Sequence, residues 1–117
     1  MRAERAVLTK AYEAFNRRDL AAMALTLHPD VEWPDILEGG VVSGRAAVLD
    51  YFARQLEVMV PDARLIKVRS EPPARLIAEL QYAVRGLKGK LWSDTRATLA
   101  YDFRDGLIVG MTPIDGF

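Results

Sequence analysis

The chain has no cysteine, a single histidine, no net charge and no long apolar run, and each shortage removes a class of function. Without cysteine in 117 residues there is no disulfide framework, zinc–thiolate site, iron–sulfur cluster or thiol nucleophile. One histidine, His28, with no second ligand near it in sequence argues against a metal site. The 16 basic side chains are matched by 16 acidic ones, whereas nucleic-acid binders carry a basic excess or stripe. No apolar segment approaches the ~20 residues of a membrane span. The opening Met1-Arg2-Ala3-Glu4-Arg5 leads into no hydrophobic leader. No glycine-rich phosphate loop or dinucleotide fingerprint is present. These absences predict one domain over residues 1–117 with no cofactor, no metal, no nucleic acid and no membrane among its partners, and a cytoplasmic location.

What is present is apolar periodicity. Half of the residues are hydrophobic, enough for a chain of this size to bury roughly two-thirds of its unfolded surface. Val7, Leu8, Ala11, Tyr12 and Phe15 predict a helix over 4–17. Asp19 predicts the cap of a second helix running to Leu27, stopped by Pro29. Val31, Trp33 and Asp35 alternate as on one face of a short strand, and Gly39-Gly40 turns it into Val41-Val42. Ala46, Val48, Tyr51, Phe52, Leu56 and Met59 predict a third helix ending at Val60-Pro61-Asp62. Four strands follow, over 64–71, 75–85, 90–104 and 107–114. In the third of these, Leu91, Ser93, Thr95, Ala97, Leu99, Tyr101 and Phe103 share one face. Trp92, Asp94, Arg96, Thr98, Ala100 and Asp102 take the other. Leu107, Val109, Met111, Pro113 and Asp115 share a face of the last strand. Segregated helices and an antiparallel meander predict an α+β fold. The half-polar outer face around Trp92, Arg96 and Thr98 predicts a homodimer.

Three segments carry a family likeness. They are Ala11-Tyr12-Glu13-Ala14-Phe15-Asn16-Arg17-Arg18-Asp19-Leu20, then Leu27-His28-Pro29-Asp30-Val31-Glu32-Trp33-Pro34-Asp35, then Ser43-Gly44-Arg45-Ala46-Ala47-Val48 with Tyr51-Phe52. Together with Asp105-Gly106-Leu107-Ile108-Val109, the sequence resembles the nuclear-transport-factor-2-like superfamily. The branches it is most similar to are the ketosteroid-isomerase-like proteins and the SnoaL-like polyketide cyclases. The resemblance implies a cone-shaped roll in which three helices pack on a strongly bent antiparallel sheet around a pocket. That pocket would be enclosed by Trp33, Tyr82, Leu99, Tyr101 and Met111 and would take a small, mostly apolar or polyketide-like molecule. It leaves the reaction open, since one scaffold hosts many activities.

Two carboxylates stand out as catalytic candidates. Read without a gap from Asn16 to Phe52, the family's base position falls on Asp35. Trp33 on the same strand face would desolvate it and raise its pKa; the competing reading is a solvated turn aspartate. Asp115 lies beyond the last strand, where the cyclases carry an acid/base group, and competes with a plain C-terminal aspartate. The isomerase oxyanion hole is not matched. Its tyrosine position falls on Ala11, with Tyr12 next to it, and its acid position falls at or near Leu99. Steroid isomerisation is disfavoured. Tyr12 is either core or a displaced donor facing the pocket, and His28 reads as a helix C-terminal cap. Two functions remain: a cofactor-free isomerase, cyclase or lyase with Asp35 as general base, and a non-catalytic dimeric ligand-binding or assembly module.

Overall fold

The apolar stripe of Val7, Ala11, Tyr12 and Phe15 packs inward from α1, Arg2–Asn16. A computed structural model describes residues 2–35 and 38–116. Past the end of α1, Arg18 adopts a left-handed φ of 60°. Asp19 then caps α2, Leu20–Ala24, by accepting the Ala22 N–H at 3.0 Å. The second helix is shorter than its alanine-rich sequence predicts. Leu27 instead opens β1, Leu27–Pro34, and pairs in parallel with Ile108 of β6, Leu107–Asp115. A ladder to a distant strand satisfies the backbone here as well as a further helical turn would, so Pro29 sits inside a strand.

Gly39 and Gly40, both at positive φ, turn β1 onto the antiparallel β2, Val41–Ser43. The third helix, α3, spans Arg45–Leu56 and buries Val48, Tyr51, Phe52 and Leu56. It also ends earlier than predicted, because Val60-Pro61-Asp62 belongs to β3, Met59–Glu71. β3 is a sheet edge, where a proline's missing N–H does little harm. β4, Arg75–Gly86, and β5, Leu91–Arg104, complete the meander into β6. The strand order β2-β1-β6-β5-β4-β3 makes one curved, unclosed sheet of six strands, the α+β architecture the sequence predicts.

The helices lie against one face of this sheet. Leu8, Val31, Val48, Leu76, Leu80 and Ile108 are fully buried between the layers, each worth about 1.5–3 kcal/mol of apolar burial. Two polar pins set the roll of α1. Arg5 Nη1 donates to the Val68 carbonyl at 2.8 Å. The Asn16 amide exchanges two 2.8 Å hydrogen bonds with the backbone of Ala63.

Bulges overturn part of the predicted facing. Asp102 pairs with Gly110 and Phe103 with Ile108, which leaves Val109 extra; Thr98 pairs with Asp115 and Leu99 with Pro113, which leaves Ile114 extra. Each extra residue flips the alternation. Ile108 and Met111 are therefore both buried, and Asp115 is exposed beside Thr98 on the outer face. A third bulge falls at Trp92, since Ser93 pairs with Val84 and Leu91 with Arg85. Leu91 thus leaves the face of Ser93. The Trp92 indole lies over Gly86, where an added Cβ would stand 2.9 Å from its Cζ2. Gly86 pairs with the buried Met59, so the indole lies on the helix side of the sheet, 56% exposed at its end, and not with Arg96 and Thr98. The outer face is laced by polar pairs instead: Arg96 with Glu79 at 3.3 Å, Gln81 with Asp94 at 2.6 Å and Arg75 with Asp102 at 2.8 Å.

Candidate functional site

Between α1, α3 and the inner sheet face lies a cavity of about 110 Å³. Tyr12, Trp33, Tyr82, Leu99, Tyr101 and Met111, drawn from five elements, all line it. Its walls are an aromatic series. Trp33 meets Phe52 edge-on at 5.0 Å and Tyr101 at 6.2 Å, and Phe15 lies 5.9 Å from Phe52 and 6.3 Å from Tyr82. Such walls favour a flat apolar guest, stacked or edge-on. A second hollow of about 460 Å³ lies outside the sheet where β1 and β6 part, bordered by Asp30, Glu32, Asp102 and Arg104 as well as by Trp33 and Met111. That outer hollow is bordered by charged side chains; the inner one is mostly apolar.

Polar side chains in the wall are few, and four of them are tyrosines. All four tyrosines of the chain, Tyr12, Tyr51, Tyr82 and Tyr101, line the inner cavity. The Tyr12 and Tyr101 hydroxyls are 2.5 Å apart. Two hydroxyls joined by one hydrogen bond keep one O–H to donate elsewhere. Burial raises the pKa of Tyr12 above the ordinary tyrosine value, and that of Tyr101 well above it, with the neighbouring Tyr12 adding to the rise. Burial and then Tyr51 push Tyr82 up to about 12. The pair is therefore a neutral donor, the form that hydrogen-bonds a carbonyl or phenolic oxygen. The sequence reads Tyr12 as either core or pocket; its ring packs edge-on against Tyr101 and the residue lines the cavity, so it is both. Thr26 also lines the cavity, but its Oγ1 is bonded to the Met23 carbonyl at 2.7 Å.

Neither Asp35 nor Asp115 is among the described residues that line this space. Asp35 is half-buried one position beyond β1, and its Oδ1 accepts the Glu38 N–H at 3.0 Å. Its backbone closes the same turn, through the Gly40 carbonyl at 3.1 Å and the Gly39 N–H at 2.8 Å. Asp115 accepts the Gly116 N–H at 2.9 Å. His28 is buried on β1 and not at a helix end. Its Nδ1 accepts the Asp30 N–H at 3.0 Å, and its Nε2 is 3.3 Å from the Asp105 carboxylate. No group of three or more metal-ligating side chains occurs among the described residues. No described helix is long and apolar enough to cross a membrane. The lining residues that the sequence does not point to include Phe15, Tyr51, Phe52 and Gln55; the first three read from the sequence as apolar faces of helices, which a hollow fold turns into cavity wall.

A family model described as a SnoaL-like domain matches residues 8–111. No curated protein matches the chain in sequence. Among solved structures, the chain is similar to a candidate polyketide cyclase from Xanthomonas campestris pv. campestris, at 24% identity and a TM-score of 0.83, covering 96% of this chain and 89% of that one. It is similar to TerC co-crystallised with polyporic acid, at 21% identity and a TM-score of 0.81, covering 96% and 90%. A Mycobacterium tuberculosis protein in complex with estradiol-17β-hemisuccinate shares 16% identity and a TM-score of 0.83, covering 97% and 92%. At these identities the likeness establishes the fold.

Proposed function

Because this chain belongs to the SnoaL-like domain family, we propose that its inner cavity binds a small, flat, mostly apolar molecule whose oxygen accepts a hydrogen bond from the Tyr12–Tyr101 pair. The observation that carries this reading is that pair: a neutral hydroxyl dyad set in aromatic walls. Proteins of the same fold have been crystallised with polyporic acid and with an estradiol ester, which supports a small-molecule ligand for this fold. A cavity near 110 Å³ is of the order of the roughly 150 Å³ engineered cavity that admits benzene, so single-ring compounds are the guests with which to test it.

Calorimetric titration with toluene and phenol tests the reading. Phenol is expected to bind more tightly than toluene, and the double variant Tyr12→Phe/Tyr101→Phe to remove that advantage. Binding of neither compound would end the proposal.

Catalysis is the second reading, and the same dyad favours it, because a neutral donor stabilises the charge that develops on a carbonyl oxygen as a neighbouring C–H is deprotonated. Asp35, two positions beyond the cavity-lining Trp33, is the base such a step would use, with Asp115 as the further candidate. Deuterium exchange into 2-cyclohexenone, followed by NMR and abolished in Asp35→Asn, would support it. Exchange no faster than in buffer leaves a binding module. Pairing of two copies through the outer sheet face belongs to the proposal as a salt-sensitive association, given the ion pairs that cross that face.

A further inference from the structure

We propose that the sheet end at the β4–β5 turn docks on an anionic lipid bilayer, with Val58, Leu87, Leu91 and Trp92 entering the headgroup boundary and Lys88 and Lys90 meeting lipid phosphates.

Four of the eight large hydrophobic side chains that stand exposed among the described residues gather at this end. Leu87 is 58% exposed, Leu91 46% and Trp92 56%. Val58, also 58% exposed, precedes Met59, the partner of Gly86 on the neighbouring strand. Single exposed apolar side chains are ordinary on a protein surface, whereas a cluster of them marks a contact.

The same turn is basic. From Leu80 to Ser93 the chain carries Arg85, Lys88 and Lys90 and no acidic residue, although its total charge is zero. Arg85 Nη1 donates to the Gly89 carbonyl at 3.2 Å and clamps the turn. The side chains of Lys88 and Lys90 make no ion pair among the described residues. Of the flanking acids, Asp94 is held by Gln81 on the outer face, which leaves Glu57 against three cations. The backbone of the turn is closed on itself. The Gly86 N–H donates to the Lys90 carbonyl at 2.8 Å, and the Gly89 N–H to the Gly86 carbonyl at 2.9 Å. Such a turn carries fewer open polar groups out of water.

An anionic bilayer meets both features at once. Indole rings rest at the headgroup level, aliphatic side chains reach the acyl boundary beneath it, and lysines extend their stems towards phosphate. Nucleic acid would use the cations but leave three aliphatic side chains in water. A second copy laid symmetrically on this end would set the same cations against each other. Docking of this kind needs neither a net positive chain nor a spanning helix, so the neutral composition does not oppose it.

Vesicle co-sedimentation of the full chain tests the proposal, with phosphatidylcholine alone and with phosphatidylcholine and phosphatidylglycerol mixed. The parent should bind the mixed vesicles at least ~10-fold more tightly than the neutral ones, and more weakly as salt is added. Lys88→Glu/Lys90→Glu should lose that preference while melting like the parent, since neither lysine has an ion pair to lose. Lys88→Gln/Lys90→Gln should fall between the two. Mixed vesicles should shift the indole emission of the parent to the blue. Trp92→Phe should abolish the shift, because its remaining indole, Trp33, lines the cavity. Failure to bind mixed vesicles, equal binding to neutral ones, or full binding by Lys88→Glu/Lys90→Glu would each overturn the proposal. So would a shift of the Trp92 emission by polyglutamate and not by vesicles, which would assign this end to an acidic protein.

Discussion

The hydroxyls of Tyr12 and Tyr101, 89 residues apart in sequence, meet at 2.5 Å across the interior and tie the first helix to the last third of β5. Each is the other's partner, so removing one orphans the other. Tyr12→Phe and Tyr101→Phe should each cost about 1–2 kcal/mol, and the double variant clearly less than the sum, with a coupling of about 1 kcal/mol. Urea denaturation of the four proteins measures this. Additive losses would mean that the hydroxyls do not depend on one another.

The same burial makes stability sensitive to alkali. Tyr82 titrates at about 12 in the fold against 10.0 when exposed, and Tyr12 and Tyr101 are also raised, all chiefly by burial. The folded state thus keeps phenolic protons that the unfolded chain releases. This contribution is fully present below the unfolded value, near pH ~10, and is lost as pH rises through the folded values. Each tyrosine adds a slope of up to ~1.4 kcal/mol per pH unit in that window. Tyr82→Phe should shallow the decline between pH ~9.5 and ~11.5. An unchanged slope in the variant would contradict the assignment.

Asp35 gives a sharper contrast between two variants. Its Oδ1 accepts the Glu38 N–H at 3.0 Å. An asparagine oxygen can accept the same bond, whereas alanine cannot. Asp35→Ala should lose about 1 kcal/mol of stability and Asp35→Asn little of it. Equal losses in the two variants would show that the carboxylate charge, and not the acceptor, holds the turn.

Trp92 offers a test of the outer face. Gly86 lies outside the left-handed region, so its backbone tolerates alanine, but the new Cβ would stand 2.9 Å from the indole. Gly86→Ala should tilt the indole away at a cost of about 1 kcal/mol or less and shift its fluorescence to the red. Because the ring lies off the outer face, Trp92→Glu should leave any association of copies intact, while Arg96→Glu, which breaks the pair with Glu79, should weaken it. Sedimentation of both variants decides the matter, and dissociation by Trp92→Glu alone would put the interface at the sheet's end.

The sequence carried the helices, the meander and the apolar faces that hold Tyr12, Tyr82, Leu99 and Tyr101 because those follow from local period. Apolar side chains at helical spacing on α1 and strict alternation along the body of β5 need no knowledge of distant partners. The misread boundaries lie where a remote strand competes with local preference. Thr26 and Leu27 read as helix until Ile108, whose N–H donates to the Thr26 carbonyl and which pairs with Leu27, is known. Pro61 reads as a helix stop until β3 proves to be an edge. Alternation also fails silently at a bulge. Val109 and Ile114 carry no turn signal, yet together they decide that Met111 faces the cavity and that Asp115 does not. The Tyr12–Tyr101 contact was illegible for the simplest reason. A helix and a strand each declare a face, but nothing in either says which residue of one face will meet which of the other.

That all four tyrosines and Trp33 border one cavity has an optical consequence. With Trp92 replaced, Trp33 would be the sole indole, and every phenol would lie beside it within the same few side chains. The near-ultraviolet absorption, circular dichroism and emission of such a variant would then originate almost entirely from the cavity wall. Any guest, water or pH change reaching that space would be recorded by the protein's own chromophores, with no label attached and no background from the surface.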